Sequence, residues 1–178
     1  MSNELIKIKE KMEILLQEVM YTKITYSYLT NMKINGIIDG TLVTDSFELS
    51  LIIKICKIYE IDKQAISLNY MFRTLLSSSK IKDKSFKEWL KINQEKLNGL
   101  LLNIIEFKEI RDTELAHIDK KRKRHKKDYK HLLKKSEEMI DFALDTILYI
   151  FETIFAEEDV LIKYQSYFEY EENFKEEK

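Results

Sequence analysis

Hydrophobic residues recur at helical spacing along most of the chain, which predicts long α-helices separated by short polar breaks. Between residues 3 and 32, apolar side chains return about every 3.6 residues, the period of one helix face. The members of this stripe are Leu5, Ile8, Met12, Leu15, Leu16, Val19 and Met20. The stretch "KINGIIDGT" then interrupts the pattern with two glycines. A first helix is therefore expected to end before it.

Three further helices are expected between residues 45 and 110, each preceded by a polar signal. Asp45 and Glu48 have the spacing of a capping box ahead of "FELSLIIKICKIY". The break "EIDKQ" leads into the helical stretch "AISLNYMFRTLLSSS", and "SSSKIKDK" makes the next turn. Ser85 and Glu88 form an S-x-x-E box that opens a fourth helix. Its inward residues are expected to be Trp89, Leu90, Leu97, Leu101, Ile104, Ile105 and Ile110.

Gly99 lies inside the fourth helix, where glycine costs about 1 kcal/mol relative to alanine. This position predicts a close crossing with another helix. A fifth helix is expected from residue 128 to 155, with Leu132, Ile140, Ala143, Leu144, Ile147, Leu148, Phe151 and Phe155 facing inward. The tail after it carries a stripe for packing against the bundle or a partner subunit, made of Val160, Tyr164, Tyr167, Phe168 and Phe174.

Composition agrees with a helical protein. The chain has 178 residues, no proline and three glycines, and 44% of its residues are hydrophobic. No strand pattern is evident, so we predict an all-α fold, an up-and-down bundle of about five to six helices. One domain is expected over residues 1–178, with residues 45–155 as its core and residues 156–178 as an acidic, aromatic C-terminal helix or tail.

The chain carries little that suggests secretion, a membrane or a metal-binding cysteine cluster. Cys56 is the single cysteine, and it lies in the apolar run "LIIKICKIY", so it is expected to be a buried small hydrophobe rather than a nucleophile. The N-terminus lacks the apolar block of a signal peptide. No run approaches the roughly 18 apolar residues of a membrane span. We therefore expect a cytoplasmic protein.

Charge is unevenly distributed although the net charge is only −1. Residues 118–135 hold ten Lys and Arg against two Asp, whereas residues 152–178 hold nine acidic residues against three lysines. All three histidines, His117, His125 and His131, lie in or beside the basic segment. Such a segment is often a solvated helix end without a specific role. An anionic partner is the functional alternative.

Arg111 and His117 are the candidate chemical groups beside this segment. Arginine presents a fork of donors that matches phosphate oxygens, and histidine exchanges a proton near neutral pH. On a straight helix, residues six apart lie about 120° apart around the axis and about 9 Å along it. One chain would then place the two groups poorly around a single phosphate, unless the helix distorts or two subunits combine their groups.

A di-metal site is an alternative use of the same region. Glu114 with His117 and Asp128 with His131 repeat a carboxylate-x-x-His spacing, which di-metal bundles place on two helices. The intervening "KKRKRHKK" opposes a divalent cation, and the other helices offer no clear inward glutamate. We therefore expect no metal.

The stretch "IRDTELAHID" resembles the R-x(4–6)-H motif of the higher eukaryote and prokaryote nucleotide-binding (HEPN) superfamily, and in particular its abortive-infection branch. The polar Asp112 after the arginine, the Ala116–His117 pair and Asp119 agree with that branch. Upstream, "KIYEIDKQAISLNYMFRTLL" resembles its second block, so the resemblance covers roughly residues 45 to 155. Thr113 departs from the branch, which more often has a basic residue there.

The resemblance implies a metal-independent endoribonuclease of the toxin–antitoxin or phage-defence type that needs no cofactor. By carry-over, His117 acts as general base or acid when a ribose 2′-hydroxyl attacks the adjacent phosphodiester, and Arg111 stabilises the phosphoryl oxygens. Asp112 orients the motif. The basic run would draw RNA to the cleft through Lys120, Lys121, Arg122, Lys123, Arg124, Lys126 and Lys127. His125 and His131 would belong to the rim of the cleft or to the surface.

The implied partners are RNA, a second copy of the chain whose motif faces the first, and an antitoxin or a nucleotidyltransferase. Two alternatives stay open at the level of sequence. One is a HEPN-like helical module that binds RNA or protein without catalysis. The other is a purely structural bundle, which predicts Arg111 in an intrachain salt bridge, with Glu114 as its candidate partner.

Overall fold

The described part of the chain is entirely helical outside its turns, which confirms the predicted all-α bundle. A computed structural model describes residues 2–34, 42–62, 64–116, 129–156 and Val160. These residues form five helices and, within the same ranges, no strand. The helices are α1 (Asn3–Ile34), α2 (Leu42–Ile58), α3 (Leu68–Ser77), α4 (Lys84–Ala116) and α5 (Tyr129–Phe155).

Buried residues from all five helices form one hydrophobic cluster. Helix α1 packs on α2 and α5, and α4 packs on α2 and α3. The apolar stripe predicted for α1 is buried from Ile8 to Met20, whereas Leu5 is partly buried at its edge. Just after α2, the buried Tyr59 hydroxyl donates a 2.6 Å hydrogen bond to the backbone oxygen of Met139 in α5. The bond satisfies a polar group in the core and ties the end of α2 to α5.

The predicted capping box of α4 is wrong, because Asp83 caps this helix instead of Ser85. The Asp83 carboxylate accepts from the backbone nitrogens of Ser85 at 2.8 Å and Phe86 at 3.2 Å, the geometry of an N-cap residue. Ser85 is already inside the helix, and its hydroxyl also donates to Asp83. Glu88 forms a surface ion pair with Lys91 rather than reaching back to the helix start.

The predicted start of α2 at Asp45 is also wrong, because the helix already begins at Leu42. No proline or glycine separates Leu42 from Asp45, and the nearest breaker on the N-terminal side is Gly40. The backbone can therefore stay helical through Asp45. Glu48, predicted as a capping residue, is buried at 8% exposure inside the helix. It lines a small cavity between α1, α2, α4 and α5 together with Leu29, Leu51, Ile52, Phe107, Leu132, Leu133 and Ser136.

Two expectations for α4 are corrected by its packing. A side chain at Gly99 would meet no atom within 4 Å, so the glycine does not mark a close crossing within the described structure. Ile105 points to solvent at 54% exposure, whereas its neighbour Ile104 is buried at 1%. Adjacent helical residues lie about 100° apart, so only one of the two can face the core. The inward position one turn later is Phe107, which is fully buried.

The remaining predicted core positions are confirmed where the structure describes them. Leu90, Leu97 and Ile110 of α4 are buried, and Trp89 and Leu101 are partly buried. In α5 the predicted inward residues are buried, except that Leu148 and Phe155 are partly buried. Val160 is buried at 3%. The other residues of its predicted stripe lie outside the described residues.

No helix within the described ranges is both long enough and apolar enough to cross a membrane.

Candidate functional site

Arg111 and Asp112 lie together near the C-terminal end of α4. The Arg111 Nε atom donates a 2.7 Å hydrogen bond to Asp112 Oδ1 of the same chain. The Arg111 side chain is 27% exposed and that of Asp112 is 64% exposed. The guanidinium is therefore held by a neighbour that itself faces solvent, and the pair is accessible from outside the bundle.

Both members of this pair are held in their charged forms. The hydrogen bond from Arg111 lowers the pKa of the Asp112 carboxyl below its ordinary value, and the nearby cations Arg111 and Lys108 add to that effect. The same hydrogen bond raises the pKa of the Arg111 guanidinium. Arg111 therefore offers a permanent positive charge whose orientation is fixed by Asp112.

A second ion pair lies one helical turn before Arg111. The Lys108 Nζ atom is 2.9 Å from Glu60 Oε1, and each side chain is a little over one quarter exposed. This contact joins α4 to the segment that follows α2. The hydrogen bond from Lys108 lowers the pKa of Glu60, which favours the charged form of this carboxylate. Residues three apart on a helix are neighbours, so Lys108 and Arg111 form one cationic surface facing the end of α2.

Cys56 lies in α2 beneath these charges and is 1% exposed. Burial raises the pKa of its thiol to about 11, and the positive charges of Arg111 and Lys108 offset only part of that rise. The thiol is therefore neutral at physiological pH, which makes it a poor nucleophile. This agrees with the expectation that Cys56 is a packing residue.

The buried thiol predicts a loss of stability at alkaline pH. Its pKa is about 11 in the folded protein against 9.0 for a free thiol, so the folded state binds more protons between these values. The buried thiol therefore makes its full contribution to the free energy of unfolding below pH 9. That contribution, roughly 2–3 kcal/mol, is lost as the pH rises toward 11. The pKa of Tyr59 is also raised by burial, which adds a decline above pH 10. Urea unfolding of wild type and of Cys56→Ala from pH 8 to 11 measures the thiol contribution. If the free energies of unfolding of the two proteins changed in parallel with pH, this contribution would be contradicted.

The structure brings together only part of the predicted site. Arg111 and Asp112 are in contact, and His131 is exposed in the first turn of α5. His117, the basic run over residues 120–127 and Asp128 lie outside the described residues. The side chain of Glu114 also lies outside the described part of the structure. Among the residues that are described, no group of three or more His, Cys, Asp or Glu could hold a metal.

Sequence reasoning missed Glu60 and Lys108. Lys108 carried a local signal, since it lies three residues before Arg111 and so shares a helix face with it. Glu60 carried none, because it is 48 residues away from Lys108 in the chain. The chain matches no family model, no curated protein and no solved structure.

Proposed function

We propose that the protein is a metal-independent endoribonuclease of the toxin or phage-defence type, with Arg111 and His117 as its catalytic groups. The observation that carries the proposal is the Arg111–Asp112 pair. It presents a charged, oriented and accessible guanidinium near the end of α4, six residues before His117 in the sequence. A guanidinium in this setting suits the oxygens of a phosphodiester.

The contacts of Arg111 favour this role over a structural one. A purely structural bundle predicts Arg111 in an intrachain salt bridge, with Glu114 as its candidate partner. Arg111 does form an intrachain salt bridge, but with Asp112, the next residue in the chain, so this pair joins no two elements. The neighbouring Lys108–Glu60 pair does join two elements, since it connects α4 with the segment after α2. Of these two cations, Arg111 is the one whose described ion pair does not bridge two elements, and its side chain is 27% exposed, which favours contact with a ligand.

The proposed reaction is an internal transfer at one RNA phosphate. The ribose 2′-oxygen forms a bond to phosphorus while the bond from phosphorus to the 5′-oxygen breaks. A histidine takes the proton of the 2′-hydroxyl, and a proton returns to the leaving 5′-oxygen. Arg111 stabilises the charge that builds on the phosphoryl oxygens. The products are a 2′,3′-cyclic phosphate and a 5′-hydroxyl, and no step uses a metal.

A second copy of the chain has a defined role in this proposal. The reaction needs a base and an acid, and each chain supplies one His117. Two motifs facing one another across a cleft would supply both groups. The basic residues 120–127 would hold the RNA strand there by displacing its counterions. An antitoxin that covers this cleft, or a nucleotidyltransferase that modifies it, would be the regulatory partner.

The requirement for the 2′-hydroxyl tests the reaction. The protein is incubated with an RNA oligonucleotide and with its all-2′-deoxy counterpart in the presence of EDTA. We expect cleavage of the RNA only, with 2′,3′-cyclic phosphate ends. Cleavage of both strands would contradict the mechanism. Binding of both strands without cleavage of either would favour a non-catalytic HEPN-like binding module.

A further inference from the structure

One face of α4 is exposed along its length and has no packing partner among the described helices. Six residues separated alternately by four and three positions lie on this face. They are Lys91, Glu95, Asn98, Leu102, Ile105 and Glu109, and all six are exposed. Leu102, at 75%, is the most exposed of the large hydrophobic residues described. A row with this spacing is the seam along which two helices pack side by side.

The row is symmetric about position 100, which is the property that an antiparallel pair of identical helices requires. In such a pair, residues that face one another have numbers that add up to twice the number at the two-fold axis. With the axis at the level of residue 100, Lys91 faces Glu109 of the partner subunit. Glu95 then faces Ile105 of the partner subunit, and Asn98 faces Leu102 of the partner subunit. Every residue of the row meets another member of the row.

Charge along α4 is complementary in the same antiparallel sense. Residues 84–99 contain four lysines and two glutamates, whereas residues 101–116 contain two basic and four acidic residues. Counted over all faces of the helix, each half therefore carries a net charge opposite to that of the half it would meet. Opposing helix dipoles also favour the antiparallel arrangement. A parallel pair would place like charges together.

We infer that this face of α4 is an interface between two copies of the chain, which pair antiparallel about a two-fold axis at the level of residue 100. The occupant is a second copy because the row maps onto itself in this register and Lys91 at one end meets Glu109 at the other. The surface is distinct from the proposed catalytic site. Arg111 is about 200° around the helix from Glu109, on the side that faces α2. The inference therefore does not rest on the proposed function.

Charge reversal of the full-length protein tests the pairing. Lys91→Glu and Glu109→Lys each place two pairs of like charges in the interface, so each is expected to weaken association about 10-fold or more. The double variant K91E/E109K restores opposite charges and is expected to restore association. Sedimentation velocity over a range of concentrations measures the assembly. Lys91 already pairs with Glu88 on the surface at 2.7 Å, so Glu88→Gln is the control for loss of that contact.

Leu102→Glu is the second test, and it is expected to halve the mass of the assembly while leaving its helical circular dichroism unchanged. If the motifs that contain Arg111 and His117 also bring two copies together through a second interface, the mass falls from four copies to two. If they do not, it falls from two copies to one. A wild type that stays monomeric would overturn the inference. An assembly whose mass is unchanged by Leu102→Glu and by Lys91→Glu would also overturn it, because the copies would then associate through another surface. A double variant that stays dissociated would overturn the antiparallel register.

Discussion

Arg111→Ala is expected to lower the rate of RNA cleavage about 10²–10³-fold, the effect of removing one donor from a site that stabilises developing charge. The variant should unfold at nearly the same urea concentration as wild type. Its ion pair with Asp112 joins adjacent residues at the surface, and such pairs contribute little to stability. A large loss of rate without a loss of stability would place Arg111 in the reaction. Single-turnover cleavage of a labelled RNA measures the rate.

Two variants make the comparison specific. Arg111→Lys keeps the charge but not the fork of donors, so it is expected to recover only part of the lost rate. Arg73→Ala is the matched control, because Arg73 lies in α3 and its Nε donates to the backbone oxygen of Asn69 in its own helix. It should cleave like wild type. Equal losses for Arg73→Ala and Arg111→Ala would contradict a specific role for Arg111.

Phe107→Ala is expected to lower the free energy of unfolding by about 3–5 kcal/mol, as for other large aromatic side chains removed from a core. Phe107 is fully buried and lines the small cavity where α1, α2, α4 and α5 meet. The loss is a large part of the roughly 5–15 kcal/mol that holds a domain folded. Urea unfolding followed by circular dichroism measures it.

Ile92→Ala provides the control in the same helix. Ile92 is 54% exposed, so its truncation is expected to change the free energy of unfolding by less than about 0.5 kcal/mol. Similar losses for the two variants would show that Phe107 is not at the centre of the core.

The helical pattern of the sequence was sufficient to predict the fold class and most of the core. The α1 stripe and the inward face of α5 follow directly from a period of 3.6 residues. The errors arose where two local signals competed. Asp83 and Ser85 are both good capping residues, and only the backbone geometry shows that Asp83 occupies the N-cap. Ile104 and Ile105 are equally hydrophobic, and their orientation depends on how α4 packs on α2.

The candidate site was predictable only where its residues are close in sequence. The Arg111–Asp112 contact joins adjacent residues of a recognisable motif. The Lys108–Glu60 contact depends on how α2 and α4 pack, and no local pattern encodes it. The exposed row of α4 was hidden for a related reason. Leu102 and Ile105 have the composition of core residues, and only their exposure in the folded chain identifies a surface.

We propose that His117 carries metal-independent RNA cleavage, and a comparison of three proteins distinguishes this role from its alternatives. Wild type, His117→Ala and His131→Ala are incubated with total cellular RNA in EDTA, and the ends of the products are analysed. His131 is the matched control, since it is an exposed histidine at the start of α5. We expect wild type and His131→Ala to leave 2′,3′-cyclic phosphate ends and His117→Ala to leave the RNA intact. Intact RNA with all three proteins, or equal cleavage by all three, would contradict it.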